Sequence, residues 1–508
     1  MIKSWVTIFE NTVSENFNKT AVVGRDYSLS FGDLREKSLK IANIICTNTS
    51  CENKPIVVLL PKCPEVICAD LGICYSHNVF SNLDIKTPTQ RLNNTIELLK
   101  PCGIISTSQY IKNIQVPSGV FIIELDNINL ETGEVLSDGC VQRLLLNQVD
   151  TDPFCIINTS GSTGTPKGVV LNHRSFFDFM DWSLETFQIA DDEIIGSLSP
   201  VVFDIYEYEL CLMMKKSATI VQLDSDMAAF PAKLLQDMEQ KNITFLFWVP
   251  TIMVNIANMD LLSRIPLPTI RTVWFAGEVF PTKQFNYWKK QMPSAVFANL
   301  YGPIEITLDC IYYIVDRDFK DDDVLPIGIP CNNTDILLLN EDNKLCEYNE
   351  KGEICVRGTS LAMGYYNNPE KTAMAFTQNP LNTSYPEIIY RTGDIAYKND
   401  KDGLIYFVGR KDSLIKHMGY RIEMGEIEHV LVNDLKIVKN CCAVYDYEKK
   451  QIVLYYEGGS GDKRYIQREL CKSLPRYMVP TVWIELDELP RNTNGKIDRL
   501  YLSNEINQ

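Results

Sequence analysis

The chain has 508 residues and a mass of 57.9 kDa, which at about 150 residues per domain corresponds to roughly three folding units. It is acidic: 49 Lys and Arg against 65 Asp and Glu leave a formal charge of −16, and no basic block interrupts the sequence. That balance excludes nucleic-acid binding by phosphate neutralisation and attraction to an anionic membrane surface, while 45% apolar and 22% charged residues are ordinary globular proportions.

The N-terminus is amphipathic and broken by Glu10, Asn11 and Glu15, so it lacks the apolar core of a secretory signal. Beyond it, short β-rich runs alternate with helical periodicity. Ala21, Val22 and Val23 form a strand before a helix over 31–44. Residues 56–60 read as a buried parallel strand followed by a helix over 64–74, and the rhythm repeats through strands at 103–105, 120–124, 218–223, 244–248 and 272–275. Apolar strands flanked by helices predict an α/β fold of doubly wound, mostly parallel sheets. After about Asp323 the pattern changes. Runs at 335–339, 352–357 and 403–407, with Gly and Asn turns, predict a β-rich, antiparallel part over about 324–408.

Near Gly409 it changes again: a helix over 423–432, strands at 441–445 and 451–456, and a helix over 465–473 make a small α+β module. The expected division is a large N-terminal domain (1–408), a hinge (409–413) and a small C-terminal lid (414–508). No run approaches the ~20 apolar residues that span a bilayer. Sixteen irregularly spaced cysteines without a CxxC, and only four histidines, argue against a disulfide framework or a zinc site. Free thiols in a reducing cytoplasm are expected.

Between two apolar runs, 154–157 and 169–171, lies Asn158-Thr159-Ser160-Gly161-Ser162-Thr163-Gly164-Thr165-Pro166-Lys167-Gly168. Glycines that free the backbone N–H groups, hydroxyl donors and the charge on Lys167 together suit a polyanion. It is not a Walker A loop, because Pro166 stands where that motif needs glycine and Gly168 where it needs a magnesium-binding hydroxyl.

This loop resembles the phosphate loop of the adenylate-forming superfamily, which includes acyl-CoA synthetases, luciferases and the adenylation domains of nonribosomal peptide synthetases. Six further motifs match in order: Asn299-Leu300-Tyr301-Gly302-Pro303-Ile304-Glu305; Gly352-Glu353-Ile354 with Gly364-Tyr365-Tyr366; Tyr390-Arg391-Thr392-Gly393-Asp394; Gly409-Arg410-Lys411-Asp412 with Gly419-Tyr420-Arg421-Ile422-Glu423; Leu474-Pro475-Arg476; and Asn494-Gly495-Lys496-Ile497-Asp498-Arg499. One departure is Ile304, where the family usually has threonine and a hydroxyl contact to the α-phosphate.

The resemblance implies ATP-dependent activation of a carboxylate as an acyl-AMP. Two anions must meet, so catalysis rests on positioning and charge neutralisation. On its own, Lys496 in an Asn-Gly turn reads as solvated surface; the resemblance makes it the cation bridging the substrate carboxylate and the α-phosphate. It further implies that Glu305 holds Mg²⁺, Tyr301 stacks on adenine beside Gly302, Asn299 bonds the adenine amine, and Asp394 accepts the ribose hydroxyls. Tyr406 and Arg410 are further nucleotide-binding candidates, with residues 159–165 and Lys167 on the phosphates. Asp412 is the hinge about which the C-terminal module rotates, withdrawing Lys496 and presenting the 416–425 segment to a pantetheine thiol.

In the amino-acid-activating branch of this family an aspartate after phenylalanine pairs with the substrate α-ammonium, and Asp204 in Phe203-Asp204 fits that position. A carboxylate facing an apolar pocket favours a substrate with an amine over a fatty acid. By the same resemblance the pocket is lined by Ile205, Tyr208, Phe247, Trp274, Ala276, Leu300, Leu308 and Asp309. The bulk of Phe247 and Trp274 predicts a small amino acid, and Asp309 leaves open a contact to a polar group.

The chain ends ten residues after Asp498, so the expectation is a free-standing, monomeric enzyme that loads the phosphopantetheine of a separate acyl or peptidyl carrier protein. Carrier proteins of this family are commonly acidic, so docking needs a local basic patch, for which Lys411, Lys416 and Arg421 are the candidates. A D-alanine–carrier protein ligase shares the motif set; an aryl- or acyl-CoA ligase is disfavoured by Asp204; a non-catalytic scaffold is disfavoured by Lys167, Glu305, Asp394 and Lys496.

Overall fold

The computed structural model describes residues 3–159, 166–411, 414–459, 463–491 and 497–506. Among them, two large sheets form the core of the N-terminal part. One has nine strands, and its interior, Val296–Tyr301, Thr272–Phe275, Phe245–Trp248, Ile194–Ser197, Thr219–Gln222 and Thr20–Val23, is parallel; antiparallel strands close both edges. The other has seven strands around the parallel set Val79–Asn82, Pro55–Leu59, Gly103–Ser106 and Phe121–Glu124. Every residue of Pro55–Leu59 and of Phe245–Trp248 is buried, the pattern of strands covered on both faces.

The helices follow from local chemistry. Ser30 starts Phe31–Asn48 through a capping box: its Oγ accepts from the Asp33 N–H, and the Asp33 carboxylate accepts from the Ser30 N–H. The helices Pro64–Tyr75 and Asp204–Lys216 are buried almost all round, as befits packing inside the molecule. The Tyr206 hydroxyl joins them, donating to Asp70 at 2.6 Å. Burial pushes the Asp70 carboxyl up to about 7, against the pull of that bond.

The β-rich part is an antiparallel sheet of Thr334–Leu339, Gly352–Gly358, Ile388–Lys398, Phe376–Gln378 and Ile405–Arg410. Its last strand begins two residues later than the sequence pattern predicts, because Gly403, at φ 70°, belongs to the turn. After it come a hairpin, Leu414–His417 with Tyr420–Glu423, and a sheet of Val438–Asp446, Gln451–Gly459 and Val482–Glu485 with its own apolar core around Ile422, Ile427, Leu454 and Leu470. The helix expected over 423–432 is α-helical only over Met424–His429 and continues as a wider turn, Val430–Asp434. Among the described residues no helix is long and apolar enough to cross a membrane.

Candidate active site

Consecutive parallel strands of the nine-stranded sheet end at Trp248, Phe275 and Tyr301. The residues just beyond them, Val249, Ala276, Gly277, Gly302, Pro303 and Ile304, line a cavity of about 150 Å³. A crevice at the carboxyl ends of parallel strands is where open α/β sheets bind ligands. Asp204, Ile205, Phe247, Leu308 and Asp309 complete its inner wall, and Asn158, Thr159 and Pro166, at the two ends of the phosphate loop, lie on its rim.

Asp204 is the first residue of its helix, where the N-terminal dipole favours a carboxylate. Burial nonetheless pushes it up to about 6, with the charge of Lys416 opposing. Glu305 stands on the short turn Ile304–Ile306 and is wholly buried. The Tyr365 hydroxyl donates to its Oε1 at 2.8 Å, and Arg421 Nη1 reaches its Oε2 at 2.6 Å. Burial alone raises this carboxyl, but the Arg421 charge and the Tyr365 bond hold it below its ordinary value. Asp394, on the neighbouring antiparallel sheet, is gripped on one oxygen by the Tyr301 hydroxyl and on the other by Arg410 at 2.6 Å.

The outer wall of the cavity is the C-terminal hairpin. Gly419, at φ 81°, turns its tip, and a Cβ there would lie 2.9 Å from the Val249 side chain. The Gly419 N–H donates to Glu278 at 2.9 Å, and Glu278 in turn accepts from the Thr251 N–H. The Tyr420 ring stacks on Tyr477 at 3.6 Å and meets Phe203 edge-on at 4.8 Å. Lys416, Tyr420 and Arg421 project into the cavity. Two more ion pairs fasten the module to the N-terminal part: Lys167 to Glu423 at 2.9 Å, and Arg91 to the buried Glu426.

Several sequence expectations are corrected here. Tyr208, Trp274 and Leu300 do not line the cavity; they are buried, Leu300 in the apolar core and the two rings in an aromatic cluster where Trp274 lies 5.0 Å from Tyr208 and 5.5 Å from Phe247. Tyr406 is turned away, its hydroxyl held by Asp402 and Arg317 and its ring stacked on Tyr397. The expectation for Asn299 is not among those corrected: its amide nitrogen donates to the Pro326 carbonyl at 2.8 Å, which leaves its oxygen to accept from an amine. Lys411, Lys416 and Arg421 do not form the expected basic docking patch: Arg421 and Lys416 face the cavity, and Lys411, which stays exposed, pairs with Glu353 at 3.3 Å. Residues 160–165, Asp412 and Lys496 lie outside the described residues.

The sequence reading missed Glu278, and it missed the partnership of Tyr365 and Arg421 with Glu305. Tyr365 and Arg421 sit inside quoted motifs, which is the signal that marked their neighbourhood without giving their direction. Among the described residues no group of three or more His, Cys, Asp and Glu is arranged to hold a metal.

A family model described as AMP-binding enzyme matches residues 9–366, and the chain belongs to that family. Its relatives include the delta-poly-L-ornithine synthetase of Acinetobacter baumannii, 30% identical over 503 residues, covering 97% of this chain and 36% of that protein. They also include a D-alanine–D-alanyl carrier protein ligase of Bacillus cytotoxicus, 29% identical, with 98% of both chains covered. The chain spans only 11–44% of the long synthetases among the first relatives it matches. Among solved structures, the Vibrio cholerae adenylation domain AlmE, in complex with glycyl-adenosine-5'-phosphate, superposes with a TM-score of 0.85 at 19% identity, covering 99% of this chain and 98% of that one. Likeness at that identity speaks for the fold.

Proposed function

We propose that this protein activates an amino acid with ATP as an aminoacyl-AMP, releasing pyrophosphate, and passes the aminoacyl group to the phosphopantetheine thiol of a separate carrier protein. The observation that carries this reading is Asp204. A carboxylate on the first turn of a helix opens onto a cavity that Ile205, Phe247, Ala276 and Leu308 also line and that reaches Ile304, next to Glu305, so an ammonium group would be held beside that turn. The names of two relatives add weight: one ligates D-alanine to a D-alanyl carrier protein, and one was solved with a glycyl adenylate.

In the first step an oxygen of the substrate carboxylate bonds to the α-phosphorus of ATP, and the bond from that phosphorus to the bridging oxygen breaks, so that pyrophosphate leaves. Asp204 orients the amino acid through its ammonium group, Tyr301 stacks on adenine while its hydroxyl holds Asp394, Asp394 receives the ribose, and Lys496 bridges the two reacting anions. In the second step the thiol sulfur attacks the acyl carbonyl, and AMP leaves with the bonding electron pair. The residues fit magnesium at Glu305, since a hard cation is commonly held by one or two carboxylates together with substrate phosphates, and when bound it supplies charge neutralisation. That fit requires Arg421 to be elsewhere. The hairpin as docked therefore suits the second step, after pyrophosphate has gone, while Lys496 serves the first.

A monomer working in the cytoplasm is part of this reading. All sixteen cysteines are unpaired, as in a reducing compartment. The test is amino-acid-dependent exchange of labelled pyrophosphate into ATP, followed by mass spectrometry of a phosphopantetheinylated carrier protein incubated with enzyme, ATP and the amino acid. Absence of exchange across a broad panel of acids overturns the reading.

A further inference from the structure

Besides Asp204, the cavity contains a deeply buried carboxylate whose charge the proposed reaction does not use. Asp309 is only 4% exposed, yet it lines the cavity with Asp204. Among the described residues no donor is within hydrogen-bond reach of its carboxylate; its backbone carbonyl alone accepts, from Cys331 Sγ at 3.7 Å. An acid buried this deeply normally has a partner.

Its direction is built into the backbone. Thr307 and Leu308, which precede it, both have positive φ, 56° and 67°, a conformation costly for a β-branched or bulky side chain. Gly302 lets that strained turn close: a Cβ there would lie 2.2 Å from the Leu308 carbonyl oxygen and 2.5 Å from the Asp309 Cα. Strain of this kind persists where the surrounding structure fixes a functional side chain, and here it aims Leu308 and Asp309 into the cavity with Phe247 and Ile205.

The charge count then selects a ligand. Among the described residues three carboxylates line this small cavity; Asp84 is only partly buried and accepts from the Lys86 N–H at 2.9 Å, which leaves Asp204 and Asp309 as the two deeply buried ones. The cation whose field reaches both is Lys416, on the hairpin of the other module. The other two cations on the wall are committed, Arg421 to Glu305 and Arg91 to Glu426. A neutral side chain bound against Asp309 would leave it either an unpaired anion or a protonated acid.

We propose that Asp309 is a specificity-determining residue that receives a second ammonium group, so that the amino acid activated here is a diamino acid with a short side chain. The inference rests on the amino-acid-activating function proposed above and names its substrate class. Burial, with the Asp204 charge adding to it, pushes the Asp309 carboxyl well above the usual range, so a bound side-chain amine both loses water and creates its own counter-ion. A site built to pair with a polar group discriminates strongly against an analogue without it.

The test is pyrophosphate exchange on the full chain with isosteric pairs: 2,3-diaminopropionate against 2-aminobutyrate, 2,4-diaminobutyrate against norvaline, and ornithine against norleucine. At least one diamino acid should exceed its isostere by about 10²-fold or more in kcat/KM, and Asp309→Asn should bring that ratio to within about threefold of one. The wild-type comparison needs no variant, so it stands even if Asp309→Asn fails to fold. If neutral amino acids are preferred over their diamino isosteres, the assignment falls while amino-acid activation stands. If exchange occurs only with acids that lack any amine, both fall.

Discussion

The Arg421 guanidinium lies 2.6 Å from Glu305 although 116 positions separate them and they belong to different modules. Glu305 is wholly buried and Arg421 nearly so, and each needs the other: a lone charge in that setting is expensive. In the proposed reaction the same carboxylate would hold the cation that accompanies ATP, which would make the hairpin and the metal-nucleotide complex alternatives at one residue. Removing one partner of a buried pair costs about 3–5 kcal/mol, and here that cost falls on the docked state of the hairpin. Arg421→Ala should therefore reduce carrier-protein loading by about 10²-fold or more, while pyrophosphate exchange changes little. Arg421→Lys should recover only part of the loss, because a point charge replaces a planar fork. Equal loss in both half-reactions would refute this division of labour.

Lys496 predicts the mirror image. If it neutralises the charge that develops between substrate carboxylate and α-phosphate, Lys496→Ala should lower pyrophosphate exchange by roughly 10²–10³-fold. Transfer from a supplied aminoacyl-AMP to the carrier thiol should proceed nearly as in the unaltered enzyme. The pair of variants, one failing in each half, would establish that the two residues act in succession. A Lys496 variant that loads normally from ATP would remove this residue from the first step.

Asp204 should give the reaction an acid limb. Its carboxyl stands at about 6 instead of 3.8 because burial outweighs the charge of Lys416, and an ammonium substrate needs the ionised form. In the free enzyme kcat/KM for the amino acid should fall as pH drops below about 6, approaching tenfold per unit. The stability effect has the opposite sign. A carboxyl with a raised value stabilises the fold at pH below 3.8, and that contribution is lost as pH rises through about 6. Saturating amino acid should restore it, so the gain in Tm on adding ligand should be larger at pH 7.5 than at pH 5.5. Asp204→Asn should flatten both dependences; an acid limb unchanged in that variant would assign it to another group.

Where periodicity carries the information, the sequence was a sound guide. Thr272–Phe275 was predicted to the residue, and Phe31–Asn48 and Pro64–Tyr75 begin where expected, because apolar spacing and an N-terminal Ser or Pro are local signals. Two basic residues were the failure. Lys416 and Arg421 were expected in a basic docking patch, since nothing local shows that a hairpin tip will be held by Glu278 and driven against Val249. Asp309 was expected in the pocket and lines it, but the backbone strain at Thr307 and Leu308 that turns it inward leaves no mark in composition or period. Family motifs marked the neighbourhood of the site; side-chain direction came only from the fold.

Trp274 separates a wall residue from a supporting one. It was expected in the pocket, but its indole is fully buried against Phe187 at 4.5 Å, Tyr208 at 5.0 Å, Phe245 at 5.2 Å and Phe247 at 5.5 Å. Phe247 is the ring that meets the cavity. Trp274→Ala should destabilise the N-terminal part by about 3–5 kcal/mol through the void it leaves, read as a lower urea midpoint, with the order of preference among amino acids unchanged. Phe247→Ala should instead enlarge the cavity and admit longer side chains, read as a rise in exchange with them relative to short ones. If Trp274→Ala reorders the substrates while Phe247→Ala does not, the wall of the cavity has been assigned to the wrong ring.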